Sequence, residues 1–524
     1  MNSLDLGTDA LLFVATYLAL MLGLGVLARA RSTETSLRDF YLGGSSFGFV
    51  VLFLTFFATQ YSGNTLLGFA GRAYQKGAAY AVSVTFMILA IVVIVSYAPR
   101  LYRLSQHFGY VTPADYVYHR FGSHGLRIAV VVLLSWGLSN YILEQLVAMG
   151  RGIEALSAGR LTALIVSTFR GLGLGSLVAN VSGSEFDFMG GVVILVAVML
   201  IYESMGGMRA VAFTDVAQGI LLFGGCSCIL YLLVSTEGGL AAATARIAEV
   251  APEKIAQPNA QGIRTWVSNL ILLGFGVAVY PHAVQRIFAA RDLPTLRRSL
   301  SLMAFMPLLT TLLAFLIGYI GLSRYPGLGP GESDAITIRV LTALGQGELV
   351  KWLVIVVLTA VLAAIMSTAD SALLSLGSMF TKDIYRVYWK PQASAAECLR
   401  VGKLFGWLLM ALLVAGAYIS LETKSSIWLL IKLKLEFMVQ IAPAFVLGLF
   451  SARLTGRAVL FGLLAGTAVT LVIWGGVMAD LWTSRSPLGI SAGVWGLFCN
   501  GGLCLLLSPP LPREAREDER ATAT

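Results

Sequence analysis

Three polar interruptions in otherwise apolar stretches are the places where this sequence could bind a small ligand or an ion. They read FATQYSGNT over 57–65, GFGVAVYPH over 274–282 and AAIMSTADS over 363–371. The third carries the hydroxyls of Ser367 and Thr368. Hard cations take several oxygen ligands from hydroxyls, carboxylates and backbone carbonyls. The pattern therefore indicates a site for a cation such as sodium, unless the two hydroxyls only bond back to the preceding turn.

The chain around these interruptions is too apolar for a soluble protein. Of its 524 residues, 57% are hydrophobic and 12% are charged, whereas soluble domains carry roughly 25% charged residues. Apolar runs of about 20 residues, the length of a membrane-spanning helix, recur throughout. We predict an all-α integral membrane protein with about 13 transmembrane helices, placed near 9–29, 47–71, 78–98, 126–150, 186–204, 209–234, 266–288, 296–322, 350–380, 399–421, 427–450, 457–479 and 488–508.

A single transmembrane domain over 1–508, followed by a disordered cytoplasmic tail over 509–524, accounts for the sequence. Basic residues concentrate in alternate loops, so the positive-inside rule places the N-terminus outside and the C-terminus in the cytoplasm of a bacterial inner membrane. The first apolar run begins with Asp5 and Asp9 instead of the basic region of a signal peptide. The formal charge of +9 reflects these loops rather than nucleic-acid binding.

The first two interruptions predict broken helices. Irregular backbone is tolerated inside a membrane only where it is buried in protein or lines a cavity, and Pro281 removes one backbone donor in the second interruption. Transporters place such breaks in pairs related by internal repeats. The two breaks are five predicted spans apart, which favours inverted repeats over about 47–234 and about 266–450. The alternative is that small residues at the breaks only allow close helix packing.

Four separated motifs resemble those of the sodium:solute symporter family, which includes proline, pantothenate, acetate and sodium–sugar carriers. The motifs are FYLGGS at 40–45, GGMRAV at 206–211 with Thr214, Asp215 and Gln218, Pro281-His282 with Arg286, and AAIMST at 363–368 with FTKDIY at 380–385. Their order and spacing extend the resemblance over nearly the whole chain. The resemblance implies about thirteen helices around a five-plus-five inverted-repeat core with two broken helices, which works by alternating access.

The resemblance also implies a sodium site between the second and ninth spans. Its ligands would be the carbonyls of Ala58, Tyr61 and Ala364 and the hydroxyls of Ser367 and Thr368. Some relatives carry an acidic residue two positions after the first of these ligands, where this chain has Gln60.

Two carboxylates in the spans are candidates for a second cation. An ionised side chain inside a membrane is costly and is a functional candidate by default. Asp215 matches a family aspartate implicated in sodium coupling, and Asp370 falls where some relatives place a hydroxyl of a second sodium site. We therefore expect that Asp215 and Asp370 could assist a second cation.

Substrate-side residues follow by position around the two breaks. The resemblance places beside the central cavity Ser62, Gly63, Asn64, Thr65, Tyr280 and His282. For His282 the alternative is a packed histidine bonded to a neighbouring helix. The Pro-His pattern is similar to that of the proline, acetate and pantothenate carriers, which favours a substrate with a carboxylate.

The eleventh span carries several charged and polar residues of less certain role. Lys432 and Glu436 lie one turn apart and could pair, and Glu436 and Gln440 lie deep enough to reach the cavity. We expect Lys434 to snorkel to the headgroups; the alternative is that a lysine here attracts an anionic substrate towards the outer vestibule. On the fourth span, Glu144 could contact the substrate or make a structural hydrogen bond.

The sequence therefore predicts a sodium-coupled symporter that imports a small organic solute, a carboxylate or an amino acid. Sodium would be its coupling ion, and its other partners would be the solute and membrane lipid, without nucleic acid or an obligatory protein partner. A proton-coupled symporter of the same fold is one alternative, because Gln60 replaces an acid and Asp370 is present. A transporter-like nutrient sensor acting with a partner is another. An enzyme is not expected, since no metal cluster or nucleophile–base constellation supports one. The sequence contains no ATP-binding glycine-rich loop, which argues against a self-contained primary pump.

Overall fold

Helices make up nearly all of the structure. The computed structural model describes residues 6–31, 36–157, 159–171, 183–236, 239–343, 347–423 and 427–509, so the predicted tail lies outside the described residues except for Pro509. The α-helices of these ranges are α1 (Gly7–Ala30), α2 (Leu37–Leu42), α3 (Phe49–Gln60), α4 (Ala70–Lys76), α5 (Ser83–Phe108), α6 (Pro113–Phe121), α7 (His124–Ser157), α8 (Arg160–Gly171), α9 (Gly183–Thr236), α10 (Gly239–Val250), α11 (Ala260–Ala278), α12 (Pro281–Ala289), α13 (Leu293–Met303), α14 (Met306–Arg324), α15 (Pro330–Ser333), α16 (Ile336–Thr342), α17 (Glu348–Met379), α18 (Ala395–Thr423), α19 (Ile427–Met438), α20 (Gly448–Phe450), α21 (Gly456–Met478) and α22 (Ala492–Leu506).

The length and composition of these helices confirm an all-α membrane protein. Within the described ranges, nine helical stretches are long and apolar enough to cross a membrane, and a tenth results if the bent pair α11 and α12 is one span. The predicted count of thirteen is not confirmed, because the stretch Glu185–Leu233 merges two predicted spans and α3 and α22 are shorter apolar helices.

A glycine divides the merged stretch α9. Gly207 has φ 51° and ψ −138°, which are not helical angles, and a φ of this sign favours glycine. A Cβ at Gly207 would lie 2.5 Å from the carbonyl oxygen of Phe40. The motif around Gly207 therefore forms a sharp turn, and this turn packs against the motif around Phe40.

Both predicted helix breaks are present. Helix α3 ends at Gln60, Tyr61 has the non-helical angles φ −106° and ψ 84°, and the chain then enters a π-helical turn over Asn64–Phe69. Helices α11 and α12 meet at an angle of 47°. Pro281 opens α12, where its missing N–H leaves no helical hydrogen bond unmade.

Backbone hydrogen bonds join the two broken segments at one end. The amide of Phe47, just before α3, donates to the carbonyl of Ala289 at 3.2 Å. The amide of Arg291 donates in return to the carbonyl of Phe47 at 3.0 Å. The start of α3 and the end of α12 are thus held together, so the two breaks belong to one structural unit.

Helix α17 lies at the centre of the molecule. Every residue from Val357 to Met379 is buried, and α7 and α9 pack along it. Its π-helical continuation is fixed by ion pairs of Asp383 with Arg127 at 2.5 Å and of Lys382 with Asp115 at 2.5 Å. Because α17 is buried from Val357 to Met379, the hydroxyl and carboxyl groups of this part face other helices rather than lipid.

Candidate functional site

An oxygen-rich junction forms where α17 meets the break after α3. The Thr368 hydroxyl donates to the carbonyl of Thr59 at 3.2 Å and to that of Ala364 at 2.9 Å. Ala58 and Tyr61 flank Thr59 at the end of α3, where the last carbonyls of a helix lack intrahelical amide partners. The structure therefore brings Thr368 against the end of α3, where Ala58 and Tyr61 are close to Thr59 in the chain.

Ser367 lies beside Asp215 at the same level of α17. The Ser367 hydroxyl donates to one carboxylate oxygen of Asp215, and the other oxygen lies 2.8 Å from Nη2 of Arg286. Arg286 also donates to Ser371 at 2.6 Å and to the hydroxyl of Thr55 at 2.9 Å. Arg286 thus neutralises Asp215 deep in the protein. A hydroxyl that donates its proton elsewhere keeps its lone pairs for a cation.

Asp370 is held by a different helix. One of its carboxylate oxygens accepts a hydrogen bond from the Tyr202 hydroxyl of α9, and the other accepts one from Ser371 at 3.3 Å. Beyond them, Gln218 donates to the Tyr17 hydroxyl at 2.8 Å. Asp370 therefore belongs to a polar network on the α1 and α9 side of α17.

A small inner cavity of about 30 Å³ lies between the break after α3 and helices α7, α11 and α19. Its walls consist of Gln60, Ser62, Thr65, Phe69, Met87, Tyr141, Leu273, Val277, Tyr280, Ile431, Lys434 and Leu435. Neither amide atom of the Gln60 side chain has a hydrogen-bond partner among the described residues, and the residue is only 4% exposed. A buried polar group without a partner is costly, so this amide is a candidate ligand contact.

Lys434 is buried on the wall of the inner cavity, which corrects the expectation that it snorkels. It is 1% exposed, and its ammonium lies 2.7 Å from Oε2 of Glu144, which is fully buried on α7. The ammonium also stands 3.3 Å above the ring centre of Tyr141 and 5.6 Å from that of Tyr280. The expectation failed because this face of α19 packs on α7 and α11 rather than on lipid.

Aromatic rings connect the cavity to His282. The ring centres of Tyr141 and His282 are 5.7 Å apart, and those of Tyr280 and His282 are 5.0 Å apart. His282 is fully buried, and neither of its ring nitrogens has a hydrogen-bond partner among the described residues. The ring is therefore not a histidine bonded to a neighbouring helix. The Tyr141 hydroxyl faces the hydroxyls of Ser62 and Thr368, which links the cavity to the oxygen-rich junction.

Other predicted substrate residues lie elsewhere. A Cβ on Gly63 would stand 2.2 Å from Ile365, so Gly63 serves close packing of two helices. Gln440 donates to the carbonyl of Gly493 at 2.8 Å, and thus faces α22 instead of the cavity. The side chain of Asn64 lies outside the described residues.

A larger outer cavity of about 410 Å³ lies beside the inner one, on the predicted periplasmic side. Its wall includes Arg72, Tyr80 and Trp266. Between the two cavities, the rings of Phe69, Tyr80 and Trp428 pack with centre-to-centre distances of 5.9–6.2 Å. This aromatic cluster separates the inner cavity from the outer one.

Tyr141 and the Glu144–Lys434 pair are the site residues that sequence reasoning missed or left open. Tyr141 and Glu144 are three residues apart and so share one face of α7. This spacing was the available signal on α7. The sequence gives no comparable signal that pairs Glu144 with Lys434, which is 290 residues away.

The sequence of this chain is similar to those of known transport proteins. A model of the sodium:solute symporter family matches residues 40–169 and 160–466. A high-affinity proline transporter of Bacillus subtilis is 26% identical over 484 residues, which cover 91% of this chain and 94% of the relative. A monocarboxylate transport permease protein of Rhizobium johnstonii is 25% identical over 541 residues, which cover 98% and 99%.

A solved structure has the same fold. The substrate-bound outward-open state of a Na+-coupled sialic acid symporter matches 97% of this chain and 100% of its own, with a TM-score of 0.71 at 19% sequence identity. The family model covers most of the sequence, including both broken helices and α17. The chain therefore belongs to the sodium:solute symporter family.

Proposed function

We propose that this protein imports a small carboxylate-bearing solute together with sodium, by alternating access across a bacterial inner membrane. One observation carries the proposal: the ammonium of Lys434 lies on the wall of a cavity formed at the break after α3, and that same break contributes to the oxygen-rich junction. A carboxylate is the group that a buried ammonium binds best. The N-terminus would lie outside and the C-terminus in the cytoplasm.

The proposed sodium site is the oxygen-rich junction. Its ligands would be the carbonyls of Ala58, Tyr61 and Ala364 and the hydroxyls of Ser367 and Thr368. Oxygen ligands of this kind suit a hard cation. Asp215, which is paired with Arg286, and Asp370 would offer carboxylate oxygens nearby, in support of a second cation.

Tyr141 offers a physical route for coupling between solute and sodium. Its ring carries the Lys434 ammonium, while its hydroxyl faces Thr368. A cation at Thr368 would fix the break after α3, which also forms the cavity wall. Each ligand would then bind more tightly when the other is present, as linkage requires.

Three of the similar proteins support a carboxylate substrate, whereas a sodium/glucose cotransporter of Vibrio parahaemolyticus, 24% identical over 498 residues, is named for a sugar. Proline, monocarboxylates and sialic acid, the solutes named for three similar proteins, all carry a carboxylate. The buried Lys434 gives this chemistry a binding partner here.

Uptake into proteoliposomes tests the proposal. The purified chain would be given labelled carboxylates and amino acids with and without an inward sodium gradient, as wild type, Ser367→Ala and Thr368→Ala. We expect sodium-dependent uptake in wild type and a loss of at least about tenfold in both variants, the effect of about 1.4 kcal/mol in binding. Thr359→Ala is the matched control, because this buried threonine of α17 only bonds back to Ile355.

Two results would contradict the proposal. Uptake that is independent of sodium and is driven by a proton gradient would favour the proton-coupled alternative. Asp370 would then be the first residue to test. Solute binding without any uptake would favour the sensor.

A further inference from the structure

The outer cavity is large enough for a small organic molecule, whereas the inner cavity is not. The outer one measures about 410 Å³, against about 30 Å³ for the inner one. Pockets that bind small molecules measure about 300–1,000 Å³, and a cavity of about 30 Å³ accommodates only a few water molecules. In the described conformation, an organic solute would therefore fit the outer cavity and not the inner one.

The wall of the outer cavity is positively charged. Arg72 and Lys76 lie one turn apart on α4, and no aspartate or glutamate among the described residues belongs to this wall. Lys254 adds a third positive charge beside them, because its ammonium donates to the carbonyl of Gln75 at 2.8 Å. Positive charges that lie together without a carboxylate repel each other. A bound anion would relieve this repulsion.

Arg72 has no partner within the protein that would compete with such an anion. Within the described ranges, its guanidinium makes neither a hydrogen bond nor an ion pair with another residue. It lies instead over the ring of Trp428, 5.3 Å from the ring centre. A guanidinium presents its N–H donors as a planar fork that matches a carboxylate. Because Trp428 belongs to the aromatic cluster, an anion on Arg72 would lie beside the barrier between the two cavities.

Two buried polar groups on the same wall also lack partners. Tyr80 is 4% exposed and Asn269 is 8% exposed. Neither the Tyr80 hydroxyl nor the amide oxygen of Asn269 has a hydrogen-bond partner in the part of the chain that the structure describes, and a buried polar group without a partner is costly. The hydroxyl can donate to a carboxylate, and the amide oxygen can accept from a hydroxyl or N–H of a ligand. Both groups therefore indicate a ligand at this wall.

We propose that the outer cavity is a binding site for a small organic carboxylate, separate from the inner cavity, with Arg72 as its principal contact. The carboxylate binds the guanidinium of Arg72 and accepts a hydrogen bond from the Tyr80 hydroxyl. The apolar body of the ligand packs on Phe86, Ile263 and Trp266, which belong to the same wall. The site is inferred from these contacts and does not depend on the sodium ligands or on Lys434.

Binding to the purified full-length protein tests this site. The probes are benzoate and propionate, with benzamide and propionamide as their uncharged counterparts. Isothermal titration calorimetry would use the double variant Glu144→Gln with Lys434→Met, which removes the ammonium of the inner cavity and leaves no unpaired charge in its place. We expect this double variant to bind at least one of the two carboxylates at least about tenfold more tightly than its amide, because hydrogen bonds to charged groups are the stronger ones.

Further substitutions in the double variant assign the binding to the outer cavity. Arg72→Gln should weaken the carboxylate at least about tenfold and leave the amide unchanged. Tyr80→Phe keeps the ring of the aromatic cluster and removes only the unpartnered hydroxyl, so it should fold normally and weaken the carboxylate about fivefold. If Arg72→Gln folds poorly, Tyr80→Phe decides the question. Arg264→Gln is the matched control and should bind the carboxylate unchanged, because this exposed arginine of α11 donates to the carbonyl of Leu488 and is not on the cavity wall.

Several results would overturn the inference. The double variant could bind neither carboxylate, or could bind the amides as tightly as the carboxylates. Folded Arg72→Gln and Tyr80→Phe proteins could keep the full affinity. Sulfate that binds as tightly as the carboxylates would indicate a site for any anion, and would overturn the assignment to an organic one. The proposed function is tested separately by sodium-driven uptake and by Ser367 and Thr368, so either conclusion can fail without the other.

Discussion

Helix α19 carries two lysines two residues apart, and their surroundings differ. The Lys432 ammonium lies 3.5 Å from Glu436 on the same helix, its side chain is 18% exposed, and it also donates to Ser486. Lys434 pairs with Glu144 of another helix at 2.7 Å and is almost fully buried. One pair joins a partly exposed lysine to a buried glutamate on the same helix, whereas the other joins two helices beside the cavity.

The contrast shows what each pair can contribute. A pair one turn apart on a helix that water can reach stabilises by only about 0.2–0.5 kcal/mol. A buried pair must compensate the desolvation of two charges, so replacement by apolar residues is often neutral or stabilising. The Glu144–Lys434 pair is therefore a poor means of stabilising the fold. Lys434 of this pair lies on the cavity wall, where the proposed function uses its ammonium to bind the solute.

The largest difference between the two lysines is expected in stability. Lys434→Met removes the ammonium that pairs with the buried Glu144 carboxylate, which should lower the free energy of unfolding by about 3–5 kcal/mol. Lys432→Met should lower it by less, because the Lys432 side chain is 18% exposed and the Glu436 carboxylate keeps its hydrogen bond from Trp474. Thermal unfolding of the purified variants in one detergent measures both.

A double variant provides the control for this prediction. Glu144→Gln together with Lys434→Met removes both charges and should recover most of the lost stability. Equal losses for Lys432→Met and Lys434→Met would show that the two pairs do not differ as their surroundings suggest.

Much of the scaffold could be predicted from the sequence, because its signals are local. Pro281 and the polar run before Thr65 marked the two breaks, and the hydroxyls of Ser367 and Thr368 marked the important face of α17. These features depend on residues close together in the chain. The family and the membrane class predicted from them are confirmed.

The cavity wall could not be predicted in the same way, because it depends on how helices rotate against each other. Gln440 was expected at the cavity, yet it faces Gly493 of α22. Lys434 was expected at the lipid surface, yet it faces Glu144. Both residues lie on the same predicted span, so their depth in the membrane did not tell apart the two faces of that span. Only the packing of α7, α11 and α22 around α19 decides which face meets the cavity.

A third buried carboxylate contacts the start of α19, and its burial changes its pKa. Asp334, between α15 and α16, is 2% exposed and accepts a hydrogen bond from the amide of Ile427, the first residue of α19, at 2.9 Å. Burial raises the pKa of Asp334 to about 7, against a smaller opposing effect of Arg151. In the unfolded chain its pKa would be about 3.9.

The sign of the pH effect follows from this raised pKa. The folded protein binds the Asp334 proton more tightly than the unfolded chain does, so this contribution to stability is complete below pH 4 and is lost as the pH rises to 7. Asp334→Asn cannot titrate. Between pH 6 and pH 8, wild type should therefore lose about 1.4 kcal/mol of unfolding free energy relative to this variant. Denaturation curves at the two pH values measure it, and parallel behaviour would contradict the assignment.

The smallest expected effect concerns Tyr141, which lies between Lys434 and the proposed sodium ligand Thr368. Lys434 rests on the ring of Tyr141, whose hydroxyl faces the proposed sodium ligand Thr368. Tyr141→Phe keeps the ring beneath the ammonium and removes the hydroxyl. Loss of one hydrogen bond, about 1 kcal/mol, should raise the sodium concentration for half-maximal uptake about fivefold. The solute affinity at saturating sodium should change little.

Trp474→Phe is the matched variant at the other pair, because it removes the indole N–H that binds Glu436 and leaves an aromatic ring in place. It should leave the sodium dependence of uptake unchanged, since the residues around Lys432 and Glu436 have no contact with the oxygen-rich junction among the described residues. A sodium shift in Trp474→Phe as large as that in Tyr141→Phe would mean that sodium affinity responds to any loosening of α19. A shift in Tyr141→Phe alone would place the coupling between solute and sodium in the tyrosine beneath Lys434.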